Sequence, residues 1–331
     1  MTENLQGNMQ DRVRGALLGT AIGDALGMPV EGFSHQNIRT YYRGIKTYRD
    51  DEKRHDLRAG QWTDDTQMTF ALVRALTASD KLEEVAEHLV RTYLALRAQP
   101  RRWGSTTREA IDQLAAGVDW RRSGVAAQPT NGAAMRAAPL GVWWYATGAS
   151  RDTAAAFILS LLEITHRHPE SLVAGYGQAA AVRMSLALPH AEALDPSRFL
   201  GKLLEEVRWA ETLLDDQQRA CSRRLEMLGT RLHEFPLDLR DACEGITVRA
   251  ASSWPFVIAM FLRNPLLLEA SLLSAINVGG DTDTVGAMLG SLLGALHGWE
   301  AFPADWKTHL EQQKQLLAEA DAFWQALRTR Q

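Results

Sequence analysis

The chain of 331 residues carries 36 basic and 40 acidic side chains, a formal net charge of −4, with 46% hydrophobic and 23% charged residues. That balance belongs to a globular protein with a sizeable core and excludes a disordered chain, while the mild charge gives no sign of a broad phosphate-binding surface. Nucleic acid is therefore not an expected partner, and two cysteines, Cys221 and Cys243, without CxxC or Cys/His spacing point to a reducing cytoplasm.

In chain order, residues 1–10 are polar and lack both a basic region and an apolar run, so they read as a flexible tail ahead of a single domain over 11–331. Glycines then recur every fourth residue at Gly15, Gly19, Gly23 and Gly27, and again near the other end at Gly286, Gly290, Gly294 and Gly298. Glycine costs about 1 kcal/mol relative to alanine in a helix interior. Composition alone explains one stripe as readily as packing does; two together point to a pair of closely approaching helices, which would bring Glu31 near Asp281 and Asp283. Between them, Ser34–Gly60 is the longest weakly periodic segment and is expected to be a loop over a site.

Apolar residues at helical spacing predict helices over Leu82–Leu96, Thr153–Leu162, Ser171–Leu188, Phe199–Leu214, Leu266–Ile276 and Trp306–Leu327. Strand-like alternation is scarce, and turn-like breaks such as Asp195-Pro196 never lengthen into a linker. The expected fold is all-α, one compact multi-helix domain. The apolar stretch Val285–His297 is too short to span a bilayer, so no membrane anchor is expected, and the absence of a heptad pattern favours a monomer.

Two acidic motifs stand at expected helix starts. Gln61-Trp62-Thr63-Asp64-Asp65-Thr66-Gln67 precedes an apolar helical pattern, and Gly279-Gly280-Asp281-Thr282-Asp283-Thr284 leads into a helix beginning near Val285. Capping accounts for one acid in each: Asp64 with Gln67 resembles a capping box. Paired carboxylates, however, repel unless a cation lies between them. With no cysteine and no zincin-spaced histidine nearby, hard oxygen donors of this kind suit Mg²⁺ or Mn²⁺, with Ca²⁺ left open. Four acids and two threonines exceed what one Mg²⁺ takes from protein, which suits a pair of ions about 3.5–4 Å apart. On spacing alone, capping and metal binding stand level.

The ordered set of Gly15-Ala16-Leu17-Leu18-Gly19, Gly23-Asp24-Ala25-Leu26-Gly27, Glu31, Trp62-Thr63-Asp64-Asp65-Thr66, Asn131-Gly132-Ala133-Ala134-Met135-Arg136, Thr165-His166 and Gly279-Gly280-Asp281-Thr282-Asp283-Thr284 resembles the ADP-ribosylglycohydrolase family over nearly the whole chain. The resemblance implies an all-helical fold with a binuclear Mg²⁺ or Mn²⁺ centre held by Thr63, Asp64, Asp65, Asp281, Asp283 and Thr284. It implies Glu31 as an acid/base or gating residue beside the metals, and Asn131, Gly132, Met135 and His166 at the substrate, with Gly104 and Ser105 in a shorter matching loop.

The implied activity is hydrolysis of the glycosidic bond between ADP-ribose and a protein side chain or small acceptor. Arg102 stands two places before Gly104, where some arginine-directed members carry an acid, which counts against an arginine-linked substrate. Two rival expectations are a non-catalytic, crystallin-like ADP-ribose-binding protein on the same fold and a two-metal phosphohydrolase acting on the pyrophosphate.

Overall fold

The structure is a computed structural model describing residues 2–330, with side chains from residue 8. The first half of the chain forms α1 (Thr2–Gly27), the short α2 (His35–Asn37), α3 (Asp64–Ala78), α4 (Leu82–Leu96), α5 (Ser105–Ala115), α6 (Ala138–Thr147) and α7 (Arg151–Glu163). There follow α8 (Pro169–Leu186), α9 (Pro196–Leu213), α10 (Ala220–Gly229), α11 (Pro236–Ala242) and α12 (Ala250–Arg263). The chain ends with α13 (Leu268–Ile276), α14 (Thr282–His297), α15 (Ala304–His309) and α16 (Gln313–Thr329). Among the described residues there is no strand, only isolated bridges, and no helix long and apolar enough to cross a membrane.

At the centre lies the antiparallel pair α1 and α14. A Cβ placed on Gly15, Gly19 or Gly23 would fall 2.3, 2.3 and 1.8 Å from the carbonyl oxygens of Gly294, Gly290 and Gly286 respectively. Both stripes therefore face each other and the backbones touch, as the four-residue spacing predicted. Gly298 departs from that register: it ends α14 with φ +91°, and Trp299 donates its N–H to the Asp11 carbonyl. Gly27 packs on the Thr282 backbone in its place, and the Thr282 hydroxyl donates to the Gly27 carbonyl at 2.8 Å.

The surrounding helices are tied to this pair by buried polar groups with full sets of partners. Arg12 donates from Nε to the Ala295 carbonyl at 2.8 Å and from its terminal nitrogens to the Leu188 and Ser185 carbonyls. One guanidinium thus satisfies the ends of α14 and α8, where the helix dipoles are negative. Gln178 of α8 donates to Met288 and Ser291 of α14 and accepts from the Trp254 indole of α12. These links orient α8, α12 and α14 around one apolar core.

Three expectations are corrected. The stretch taken as a tail is helical from Thr2, and Gln10 donates to Asp321 of α16 at 2.9 Å; its polar residues form the outer end of a long helix. Trp306–Leu327 is two helices, interrupted at Leu310–Gln312. There Gln312 adopts φ +55°, the Glu311 N–H meets the Gly60 carbonyl, and the Glu311 carboxylate binds Arg101 and Gln61. Those contacts outweigh the continuing amphipathic pattern. Finally, Ser34–Gly60 is not structureless: it holds α2 and a π-helical turn over Ile38–Tyr42 before becoming irregular.

Candidate active site

The first acidic motif begins α3, as expected, but capping does not explain it. Thr63 is the N-cap and makes no side-chain capping bond, while Gln67 turns its amide oxygen to the Trp103 indole at 2.6 Å. The organiser of this corner is a residue to which the motifs alone assign no role. Asp24, fully buried on α1 between Gly23 and Gly27, accepts the backbone N–H and hydroxyl of both Thr63 and Thr66 at 2.6–3.0 Å. One carboxylate thereby caps α3 from a neighbouring helix and fixes the turn that carries Asp64 and Asp65. Its signal was a lone acid in an otherwise glycine- and alanine-rich helix face. Asp24→Ala would strip the acceptor from four buried donors, and we expect a loss of about 3 kcal/mol, measurable by denaturant titration.

The second motif is placed by Gly279 and Gly280, with φ +83° and +93°. A Cβ on Gly280 would lie 2.2 Å from the Ile246 carbonyl oxygen, so only glycine lets the chain pass here. Gly280 also exchanges backbone bonds with the segment after α1: Gly32 N–H to Gly280 O at 2.8 Å and Gly280 N–H to Phe33 O at 2.9 Å. This pairing carries Glu31 to the N-terminus of α14, next to Asp281 and Asp283, as the glycine stripes implied. Asp281 is the N-cap of α14, also without a side-chain capping bond; its Oδ2 accepts from Asn131 Nδ2 at 2.6 Å.

Glu31, Asp64, Asp65, Asp281, Asp283 and Thr284 line one cleft with an empty volume of about 660 Å³. Gly104, Ser105, Asn131, Gly132, Met135 and His166 form its walls, joined by Thr106 and Thr130 from the same two segments and by Thr107 and Val248, which sequence reading did not single out. Thr63 alone of the twelve other expected site residues besides Glu31 does not line it; its hydroxyl is buried against Asp24 at 2.9 Å and lies 3.2 Å from Asp65. At the rim Arg102, with φ +58°, joins Asp51 and Asp56, and its Nη1 lies 3.4 Å from Glu31 Oε2. Arg54 approaches the same oxygen at 3.0 Å. Two guanidinium groups from the irregular segment and its neighbour thus hold the outer side of Glu31.

Charge is badly balanced inside. Burial, reinforced by neighbouring carboxylates, pushes Asp64, Asp65 and Asp283 well above the usual carboxylate range and raises Asp281 as well. Asp24, buried but richly hydrogen-bonded, is pushed up to about 6. Asp65 Oδ1 is buried without any hydrogen-bond partner. The crowded carboxylate and hydroxyl oxygens, one of them orphaned, fit a hard divalent cation, which would supply the missing positive charge. Among the described residues, no three carboxylate, imidazole or thiolate groups stand close enough together to form a cage by themselves.

A sequence model of the ADP-ribosylglycohydrolase family matches residues 5–331. The chain belongs to the ADP-ribosylglycohydrolase family. It is 28% identical to the ADP-ribosyl-[dinitrogen reductase] glycohydrolase of Rhodospirillum rubrum, over 96% of each chain. It is 32% identical to an uncharacterised protein of Archaeoglobus fulgidus, over 92% of this chain and 93% of that one. Among solved structures, an ADP-ribosylglycohydrolase-related protein complex superposes with a TM-score of 0.73 at 29% identity, covering 97% of this chain and 99% of the other. Family membership and an all-helical architecture agree with the resemblance carried by the motifs. Both acidic motifs and Glu31, drawn from opposite ends of the family domain, share its cleft.

Proposed function

We propose that this protein is a metal-dependent hydrolase that cleaves the glycosidic bond at the anomeric carbon of an ADP-ribosyl group and releases ADP-ribose. The observation carrying this reading is that Glu31 and acids from both acidic motifs line one cleft, where the expected ligands offer only oxygen atoms. Asp64, Asp65, Asp281, Asp283 and Thr284, with Thr63 through the lone pairs of its hydroxyl, would hold two Mg²⁺ or Mn²⁺ ions. When bound, such ions supply charge that orients ribose hydroxyls and favours attack by water.

The chain's own residues do the rest. Glu31 takes a proton from the attacking water or returns one to the leaving group. Asn131, donating to both Asp281 and the Ser253 hydroxyl, fixes the orientation of that carboxylate. Gly132 and the start of α5 at Gly104 and Ser105 let the sugar and phosphates approach the backbone. Arg102 and Arg54 at the rim make a guanidinium the least welcome leaving group, so acceptors other than arginine are the proposed substrates. The protein is expected to act as a monomer in the cytoplasm.

The test is product identity from a panel of ADP-ribosylated proteins and small conjugates, with Mg²⁺, Mn²⁺ or chelator. Free ADP-ribose, lost on chelation, supports the proposal. AMP plus ribose phosphate would establish pyrophosphate cleavage, and ADP-ribose binding without turnover would establish the non-catalytic reading. A second readout needs no substrate: Mn²⁺ at a hundredfold excess over its Kd should stabilise the fold by about 2.7 kcal/mol, seen as a rise in Tm. Asp283→Asn should remove that rise.

A further inference from the structure

Arg136 is fully buried, yet among the described residues it forms no ion pair with a carboxylate. Its guanidinium donates to the Gly132 carbonyl at 2.5 Å, the Leu162 carbonyl at 3.3 Å and the Thr165 hydroxyl oxygen. The Thr165 hydroxyl lies 2.8 Å from His166 Nδ1, and Arg136 Nη1 is itself 3.5 Å from that nitrogen. A guanidinium only donates. Thr165 Oγ1 must therefore accept from Arg136, and its own proton has one acceptor among the described residues, His166 Nδ1. A proton on Nδ1 would instead face both a hydroxyl left without an acceptor and the positive Arg136.

We propose that Arg136 and Thr165 are positioning residues that lock His166 in one tautomer, with Nδ1 bare and the proton on Nε2, so that the cleft wall presents a fixed hydrogen-bond donor. Burial, aided by the Arg136 charge, drives the imidazole well below its ordinary pKa and keeps the ring neutral. Nε2 reaches the cleft beside Gly132, where a Cβ would stand 2.5 Å from it. The group it recognises is an acceptor oxygen, a phosphoryl or sugar oxygen. His166 is thereby barred from acting as a base at this edge. The tautomer follows from the free protein's geometry; only the identity of the ligand oxygen rests on the proposed function.

Long-range ¹H–¹⁵N spectra of the ¹⁵N-histidine-labelled full chain test this, with His166→Gln identifying the signal among nine histidines. The expected pattern is a protonated Nε2 and an unprotonated Nδ1, unchanged between about pH 6 and 8. A protonated Nδ1, or an imidazolium forming in that range, overturns the proposal. Thr165→Val should mix the tautomers and Thr165→Ser restore one; a single Nε2–H form in the valine variant would overturn the role given to Thr165. With ADP-ribose as calorimetric probe, Thr165→Val should weaken binding about tenfold and Thr165→Ser little. Absence of ADP-ribose binding to the unsubstituted protein would overturn the reading of the cleft, and the imidazole spectrum decides the present inference without it.

Discussion

Gly23→Ala is expected to cost about 3–5 kcal/mol of folding stability, although the same exchange in an open helix stabilises by about 1 kcal/mol. The reversal of sign is steric. A methyl group at Gly23 would stand 1.8 Å from the Gly286 carbonyl oxygen and 2.2 Å from its carbon, and backbone cannot rotate away as a flexible side chain can. Relief requires α1 and α14 to separate, which loosens the adjoining Gly19 and Gly27 contacts and moves Asp24 off Thr63 and Thr66. Gly201→Ala provides the control, because nothing lies within 4 Å of a Cβ on this α9 glycine. Denaturant titrations of both should move in opposite directions; equal stabilisation would show that the central helices are not in backbone contact.

Glu31→Gln is expected to lower kcat by about 10²–10⁴ while Mn²⁺ still raises the Tm. The amide keeps the shape of the side chain and removes its capacity to carry a proton. Glu31 is separated from the proposed ligand set in the right way for such a result: it stands beside Asp281 and Asp283 at the rim, with Arg54 and Arg102 on its outer side. Asp65→Asn should behave differently, losing the Mn²⁺-dependent stabilisation together with turnover. If Glu31→Gln turns over at the original rate, the carboxylate is not the proton carrier. If it loses the Mn²⁺ response, Glu31 belongs among the ligands instead.

Periodicity was enough to read several of the helices, α4, α7, α8, α9 and α13 among them, and the facing glycine stripes, because a four-residue spacing has one geometric meaning when it occurs twice. Leu82–Leu96 was legible to the residue. The break near Leu310 was not, since it depends on Gly60 and Arg101, some 210 and more residues away in sequence, claiming Glu311. At the site, both acidic motifs were visible as doubled carboxylates, but local spacing left caps and ligands level. Tertiary structure removes the caps: neither Thr63 nor Asp281 makes a side-chain capping bond. Asp24 and Arg136 stood inside the motifs without a role for a shared reason. Each is a charged residue inside an otherwise apolar stretch, and its importance lies in partners on other helices.

The pairing of α1 with α14 also fixes when the fold can close during synthesis. Gly15 meets Gly294 and Gly23 meets Gly286, so the glycine face of the first helix has no mate until α14 has been made, although Asp24 on the same helix can already engage α3. Contacts so distant in sequence form late and slowly. Until then the glycine-lined face of α1 is bare backbone, and Glu31 has none of its acidic neighbours from α14. The nascent chain therefore cannot assemble the cleft before the start of α14 is made, because Asp281, Asp283 and Thr284 form one side of it.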